Sequence, residues 1–234
     1  MGGLCLGMSK AGFSGMGLFG LVIFAAVLPA RESVGAILPL LIAADTLAII
    51  VFARHVIWKQ VFILSVPATL GVVSAYFLIP HIPASNFGPL IGYLILLMLL
   101  LMLWLRFSPT LKNFTVAHPH FGKIMGYIAG TTSMLANAGG PPAALYLLSC
   151  NLPKMSFVGT AAWYFFFLNL FKVPFSRSLG LINSESLMLN LQILPAIVIG
   201  FFMGFWLLKK INQTFFEWSI IALIVPGALY LIFC

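Results

Sequence analysis

Apolar runs of about twenty residues follow one another along almost the whole of this 234-residue chain, separated by short polar connections. A helix rises about 1.5 Å per residue, so a run of this length crosses the roughly 30 Å hydrocarbon core of a bilayer. The runs are continuous and rich in Leu, Ile and Phe, whereas a membrane-spanning strand alternates apolar and polar residues. The sequence therefore predicts an all-α, polytopic transmembrane protein with no soluble domain.

Composition and charge agree with this fold class. Hydrophobic residues make up 62% of the chain and charged residues only 7%, against about 25% charged residues in an average soluble domain. A net charge of +8 suggests nucleic acid in a soluble protein. Here most basic residues lie in short loops beside apolar runs, where they orient the chain in the membrane. We expect the lipid bilayer as surroundings and no nucleic-acid partner.

Two halves of the chain, offset by about 124 residues, share an ordered series of residues. Gly3-xxx-Gly7 recurs as Gly126-xxx-Gly130, and Pro67 with Gly71-xxx-Ala75 recurs as Pro195 with Gly200-xxx-Gly204. Between these motifs, Pro29, Val34, Gly35 and Asp45 match Pro153, Val158, Gly159 and Asn169 without a gap. The series predicts a duplication. We interpret Gly3, Gly7, Gly126, Gly130, Gly200 and Gly204 as contacts between packed helices.

Each half contains four apolar segments, which predicts about eight in total. They cover about 2–28, 33–53, 60–80 and 87–105 in the first half, and about 123–150, 155–175, 187–208 and 215–233 in the second. We therefore divide the chain into a first transmembrane repeat at 1–106, a cytoplasmic connecting loop at 107–122 and a second transmembrane repeat at 123–234.

The first segment of each half is interrupted, by SKAGFSG in one and by NAGGPP at 137–142 in the other. Such a segment either spans the membrane as a broken helix or enters and leaves on one side as a re-entrant hairpin. If all eight segments cross, the lysines and arginines other than Lys10 divide seven to four between the two sides. If both interrupted segments are re-entrant, the second half is inverted and the division is eight to three. The sharper asymmetry favours inverted repeats.

Matched interruptions in two halves are typical of the binding site of a transporter. Irregular backbone at membrane depth must be buried or line a wet cavity, and the N-terminal end of a half-helix attracts anions. The first interruption offers Ser9, Lys10, Gly12, Ser14 and Gly15, with the second half-helix beginning near Ser14 or Gly15. The second offers Ser133, Asn137, Gly139 and Gly140, with Pro141 and Pro142 in the first turn of the following half-helix. We predict that the two interruptions together bind a small anion.

Asp45 is the acid that lies well inside an apolar segment, and its counterpart in the repeat is the uncharged Asn169. Lys172 follows one turn later on the same helix face. We add Asn169 and Lys172 to the predicted anion site. Asp45 either pairs with Lys10 or Lys172, couples transport to a proton gradient by binding a proton, or only holds helices together in a buried pair. The alternatives are snorkelling to the interface for Lys10 and a helix end before Pro174 for Lys172.

No catalytic motif stands out in the sequence, which offers no Ser/His/Asp set, no HExxH and no nucleotide-binding loop. His118 and His120 have no third ligand nearby, so we expect a solvated loop there rather than a metal site. We therefore expect neither an enzyme nor a cofactor nor a metal. The oligomeric state stays open.

Four stretches together resemble the TauE/SafE family of membrane transporters, in the order of both halves and over essentially the whole chain. They are SKAGFSGMG, AADTLAIIVFARHVIWK with Asp45 and Trp58, NAGGPPAALYLL, and K-x-x-F-x-G-T at 154–160. The resemblance implies a multi-pass permease of the bacterial inner membrane that moves small anions, typically sulfite, sulfoacetate and related organosulfonates, usually outward. It also implies that the stretches Ser9 to Gly15 and Asn137 to Pro142 are paired central loops.

The leading hypothesis is a secondary exporter of sulfur oxyanions that binds its substrate between two broken helices near the midplane. A passive anion channel is one alternative, because the same helix termini would also line a continuous pore. A proton-linked or cation-linked carrier that uses Asp45 is another, and a membrane scaffold that transports nothing is a third.

Overall fold

The computed structural model describes residues 1–27, 34–83, 120–182 and 184–216, with single positions at 89, 93, 96, 97, 100, 218, 219, 222, 225, 226 and 229. The apolar segments expected at 87–105 and 215–233 lie almost wholly outside these residues, and so does most of the connecting loop at 107–122. Within the described residues every regular element is a helix and none is a strand. The all-α expectation is confirmed at this level.

The described helices follow the predicted segments. In the first half they are α1 (Gly2–Lys10), α2 (Ser14–Val27), α3 (Leu38–Phe52) and α4 (Trp58–Leu78), with 3₁₀ turns at Ala53–His55 and Ile79–His81. In the second half they are α5 (Phe121–Ala136), α6 (Gly140–Ser149), α7 (Lys154–Ser178) and α8 (Ser184–Lys210).

Four helical stretches in the described part of the chain are long and apolar enough to cross a membrane. They are Val34–His55, Trp58–His81, Lys154–Ser178 and Ser186–Lys210, the second and third predicted segments of each half. Pro67 lies inside α4 and Pro195 inside α8. Proline is tolerated inside membrane helices because neighbouring groups satisfy the freed carbonyl. The chain is a multi-pass membrane protein.

Both predicted interruptions are breaks between two helices. At the first break, α1 ends at Lys10 and α2 begins at Ser14. Gly12 lies between them with φ +122, a backbone conformation that residues with a Cβ rarely adopt. The glycine therefore allows the chain to turn between two helices without strain, at the place where the sequence predicted an interruption.

The second break has a different local cause. Asn137 follows the last residue of α5 with φ +53, in the left-handed region that asparagine enters more readily than most residues. Its N–H donates to the carbonyl of Ser133 at 2.9 Å, and the N–H of Ala138 donates to Thr132 at 3.2 Å. These bonds satisfy carbonyls at the end of α5. The helix α6 then begins at Gly140.

The half-helix α1 packs along α8, the third segment of the other half of the chain. A Cβ placed on Gly7 would lie 2.2 Å from the carbonyl oxygen of Ile197, and one on Gly200 would lie 2.2 Å from that of Leu4. No side chain fits at such distances, so the two backbones approach as closely as they do because both helices carry glycine.

The half-helix α5 packs in the same way along α4, in the first half. A Cβ on Gly130 would lie 2.1 Å from the carbonyl oxygen of Ala68, and one on Gly71 would lie 2.2 Å from that of Tyr127. Added side chains at the other glycines of the motifs also meet the facing helix within 2.8 Å; these are Gly3, Gly126 and Gly204. The interpretation of the paired glycines as packing contacts is confirmed.

Helix α7 packs against helices of both halves of the chain. It lies against α3, α4 and α6, and it carries four buried polar side chains, Thr160, Asn169, Lys172 and Ser176. The hydroxyl of Thr160 accepts the N–H of Ile57 at 3.0 Å, which fixes α7 to the start of α4. A helix that brings polar groups into an apolar interior is where a binding site is expected.

Candidate functional site

A cavity of about 70 Å³ lies between the two helix breaks. About 10 to 15 Å³ suffices for one water molecule, so this cavity has room for a small polyatomic ion. Its lining is mostly apolar, with a few polar groups from both breaks and from α7, as is usual in small-molecule sites. The first break contributes Ser9, Lys10 and Gly12; the second contributes Ser133, Asn137, Ala138, Gly140 and Pro141; α7 contributes Phe165 and Asn169 among others.

Lys10 enters the cavity from the last turn of α1, and its side chain is 11% exposed. The Nζ atom lies 2.8 Å from Oδ1 of Asp45 and 4.5 Å from the centroid of the Phe165 ring. The carbonyl end of α1 also favours a positive charge. The structure thus places Lys10 in an interior ion pair, and the alternative of snorkelling to the interface is wrong.

Asp45 is fully buried on α3, and each of its carboxylate oxygens has a partner. Oδ1 pairs with Lys10, and Oδ2 accepts a hydrogen bond from Nδ2 of Asn169 at 2.7 Å. The two positions that correspond in the sequence repeat, Asp45 and Asn169, are therefore in direct contact. Of the two lysines expected as partners of Asp45, Lys10 is the one that pairs with it.

Lys172 lies on α7 with 1% of its surface exposed, and it reaches the second break. Its Nζ donates to Oδ1 of Asn137 at 2.6 Å and to Oγ of Ser133 at 3.1 Å, and it lies 3.5 Å from Oδ1 of Asn169. Three neutral oxygens match the three N–H groups of an ammonium. Helix α7 continues through Pro174 to Ser178, so the interpretation of Lys172 as a helix end is wrong.

The Asn137 side chain ties the second break to two other parts of the molecule. Its Oδ1 accepts from Lys172, and its Nδ2 donates to the carbonyl oxygen of Val34 at 2.8 Å. The sequence pointed to Asn137 as a polar residue beside helix breakers. It gave no signal for the contact with Val34, because that acceptor is a backbone group.

Five of the predicted site residues form one continuous chain of polar contacts. It runs from Lys10 through Asp45 and Asn169 to Lys172, and from there to Asn137. The chain begins in the first helix break and ends in the second. The two interruptions that the sequence paired are thus joined by charged and amide groups as well as by the cavity.

Other predicted residues of the first break lie close by with local roles. Ser9 lines the cavity, and its hydroxyl donates to the carbonyl of Leu6 at 2.7 Å. Gly12 lines the cavity at the turn between the helices. Gly15 is buried in the first turn of α2. The backbone of Ser14 begins α2, but its side chain lies outside the described part of the structure.

The two glycines of the second break differ. A Cβ on Gly139 would lie 2.7 Å from the carbonyl oxygen of Ala129, so this glycine allows the break to pack against α5. A Cβ on Gly140 would meet no atom within 4 Å. Gly140 lines the cavity and Gly139 does not.

The start of α6 has fewer N–H groups to offer than an ordinary helix N-terminus. Its first three residues are Gly140, Pro141 and Pro142, and proline has no backbone N–H. The prediction that these prolines occupy the first turn is confirmed, but they also weaken the second half-helix as an anion seat. At the second break, the donors near the cavity are mainly the side chains around Lys172.

Phe165 is a cavity residue that the sequence did not reveal. Its ring faces the Lys10 ammonium across the cavity wall, a contact of the cation–π type. It lies within the aromatic run WYFFF at 163–167. No property of the sequence separates the ring that faces the cavity from the neighbouring rings of that run.

A comparison with known families agrees with the residues described above. The model of the family described as sulfite exporter TauE/SafE matches residues 1–231, nearly the whole chain. No curated protein and no solved structure matches the chain. The family match covers both helix breaks, all eight described helices and every polar residue of the site. The chain therefore belongs to the TauE/SafE sulfite exporter family, whose members are transporters.

Proposed function

We propose that this protein is a secondary transporter that exports small sulfur oxyanions, such as sulfite and organosulfonates including sulfoacetate, across the bacterial inner membrane. The observation that carries the proposal is the cavity between the two breaks, with Lys10 in its wall and Lys172 directly behind its polar lining. A lysine approaches this one small space from each half of the chain. Because interior charges interact strongly at low dielectric, such an arrangement attracts an anion.

The proposed substrate lies with its oxyanion head between the first and second breaks. Ser133, Asn137 and Asn169 offer hydrogen-bonding side chains on the side of Lys172. Gly140 allows close approach of the backbone, because nothing fills the space where its side chain would be. Three or four oxygens on one sulfur suit several donors arranged around a small volume.

We also propose that the eight apolar segments form two inverted repeats whose interrupted segments meet near the midplane as re-entrant hairpins, with the loop at 107–122 cytoplasmic. Two observations support this. The glycine contacts of α1 with α8 have counterparts in those of α5 with α4. Asp45 and Asn169, which correspond in the repeat, touch each other, as corresponding residues near a two-fold axis do. Midplane sites between inverted repeats are common in secondary transporters.

Counterflow in liposomes tests the transport proposal. Purified protein is reconstituted and supplied with sulfite, sulfoacetate, taurine, thiosulfate, acetate or sulfate. A carrier saturates, and its uptake of labelled substrate accelerates when unlabelled substrate is present on the other side. Large anion currents without acceleration would identify the passive channel instead. An absence of any flux across the whole panel would favour the scaffold.

A second candidate, proton-linked transport, is favoured by the position of Asp45. This carboxylate is fully buried and is neutralised by a lysine that lines the cavity. An anion that draws Lys10 away leaves the carboxylate unpaired, and a buried unpaired carboxylate binds a proton rather than stay ionised. The measurement is acidification or alkalinisation of the liposome lumen during anion flux. A cation-linked carrier has less support, because both carboxylate oxygens already have partners.

A further inference from the structure

We propose that Asp45 sets the number of negative charges that the cavity accepts, so that the site selects anions of one net charge over anions of two. In this inference Asp45 neutralises Lys10, and Lys172 alone balances the bound ion. It rests on the proposed function, because it concerns the anion that occupies the same cavity.

The first part of the argument is the pairing of Lys10. Its Nζ lies 2.8 Å from one oxygen of Asp45, and the other oxygen is held by Asn169 at 2.7 Å. The carboxylate is fully buried and does not line the cavity. Lys10 is thus neutralised from behind, on the side away from a bound ion. Its charge is available to an anion only if the buried carboxylate loses its partner.

The second part is the surroundings of Lys172. Among the described residues, its hydrogen bonds go to neutral oxygens, those of Ser133, Asn137 and Asn169. These three residues also line the cavity, so an ion there is separated from the ammonium by a single layer of polar side chains. Asp45 is the acidic residue whose side chain the structure describes, and its oxygens face Lys10 and Asn169 instead.

The charges of the cluster then sum to one positive charge, from two lysines and one carboxylate. An anion with a single charge makes the cluster neutral. An anion with two charges leaves one negative charge in a low-dielectric interior, which is costly. It is balanced only if Asp45 binds a proton and releases Lys10. A second negative charge therefore requires a proton, whereas a first one does not, so doubly charged sulfoacetate binds together with a proton.

The test compares methanesulfonate and sulfate, which have similar size and shape but carry one and two charges. Binding to the purified full-length protein is measured by calorimetry at neutral pH. We expect the unmodified protein to bind methanesulfonate at least tenfold more tightly than sulfate. Asp45→Asn leaves two uncompensated lysines, so we expect its sulfate affinity to rise at least tenfold and the preference to reverse. An unchanged preference in Asp45→Asn overturns the inference.

A double variant separates the two lysines. Lys10→Gln leaves Asp45 without its ionic partner, so the charges of Asp45 and Lys172 cancel, the cluster has no net charge, and methanesulfonate binding falls at least tenfold. Lys10→Gln combined with Asp45→Asn leaves Lys172 alone, and we expect tighter methanesulfonate binding than in Lys10→Gln. If Lys10 is itself the ligand, the double variant stays as weak as the single one, which overturns the inference. The double variant also removes both members of the Lys10–Asp45 ion pair, so neither is left buried without the other, and it remains informative if Asp45→Asn does not fold.

Lys154→Gln is the matched control, because Lys154 is a partly buried lysine outside the cavity whose Nζ donates to the carbonyl of Leu208 at 2.9 Å. Its preference for methanesulfonate over sulfate should equal that of the unmodified protein. Thermal unfolding shows whether each variant is folded. The two proposals fail differently. If the unmodified protein binds neither anion, the proposed function is in error for this class of ion. If it binds both equally, anion binding stands and only the role given to Asp45 is overturned.

Discussion

Each of the two helix breaks lies between two half-helices and lines the same cavity, but the breaks differ in where the charge is placed. At the first break the lysine is the last residue of α1, and helix α3 supplies the acid, Asp45. At the second break, Ser133 and Asn137 are neutral acceptors, and helix α7 supplies the lysine, Lys172. One lysine is neutralised and the other is not. Asp45 and Asn169, which correspond in the sequence, are thus both polar and in contact, but only Asp45 can carry a charge.

The two breaks also differ in how many backbone N–H groups the start of the following half-helix offers. At the first break α2 begins with Ser14 and Gly15, which both carry an N–H, whereas α6 has prolines at its second and third positions. An anion at the second break is therefore within reach of side-chain donors more than of backbone N–H groups. Four predictions compare the two breaks by substitution, from the largest expected effect to the smallest.

Lys172→Met removes the positive charge of the cluster that pairs with no carboxylate among the described residues. Anion binding should weaken by about a hundredfold or more, or roughly 2.7 kcal/mol, since each factor of ten is about 1.4 kcal/mol. Calorimetry with methanesulfonate measures the change. The contrast between the breaks is refuted if Lys172→Met binds as well as the unmodified protein, and Lys154→Met controls for loss of a lysine elsewhere.

Gly130→Ala tests the packing beneath the second break. The added Cβ would lie 2.1 Å from the carbonyl oxygen of Ala68, so the helices must separate, at a cost of about 1 to 3 kcal/mol in unfolding free energy. Gly7→Ala, at 2.2 Å from Ile197, should cost a similar amount at the first break. Thermal unfolding in detergent measures both. Gly140→Ala meets no atom within 4 Å and serves as the control, with the midpoint expected to stay close to that of the unmodified protein.

Asn137→Gly keeps the left-handed backbone at the second break but removes the side chain that holds Lys172 and Val34. We expect the protein to fold and its anion affinity to fall about tenfold, or roughly 1.4 kcal/mol. Asn137→Ala removes the same groups and adds backbone strain of about 1 kcal/mol at φ +53. The difference in unfolding temperature between these two variants isolates the backbone contribution; equal temperatures would contradict it.

Pro141→Ala restores an N–H to the first turn of α6 and makes the two half-helix starts more alike. An added donor and its dipole contribute about 0.3 to 1 kcal/mol near a helix terminus. We therefore expect anion affinity to rise two- to fivefold, measured by titration with methanesulfonate. Weaker binding in a folded Pro141→Ala would show that the ion does not approach this terminus.

The helix breaks and much of the site could be predicted from the sequence because they depend on local chemistry. Glycines among polar residues at 9–15, and an asparagine, two glycines and two prolines at 137–142, together favour a break in a helix, and Asp45 needs a partner at membrane depth. The choice of Lys10 over Lys172 as that partner could not be predicted. That choice depends on how α1, α3 and α7 pack together, and the sequence pattern was compatible with either lysine.

Helix pairing was also only partly predictable. The glycine motifs identified which faces of α1, α4, α5 and α8 pack closely, but not that each half-helix packs on a helix of the other half. Small residues mark a contact surface without specifying its partner. Pro174 was misleading for a related reason: proline ends many helices, but here it lies inside α7, and the sequence does not show which membrane helices continue through a proline.

The exchange of partners between the halves has a consequence for biogenesis. The ribosome delivers α1 to the membrane long before it has made α8, and α4 before α5. During that interval the glycine faces of α1 and α4 have lipid or the insertion machinery beside them rather than a matching helix. Neither half completes its own contacts, so assembly of the first half waits for translation of the second, and a chain released early presents these bare backbone surfaces to quality-control proteases.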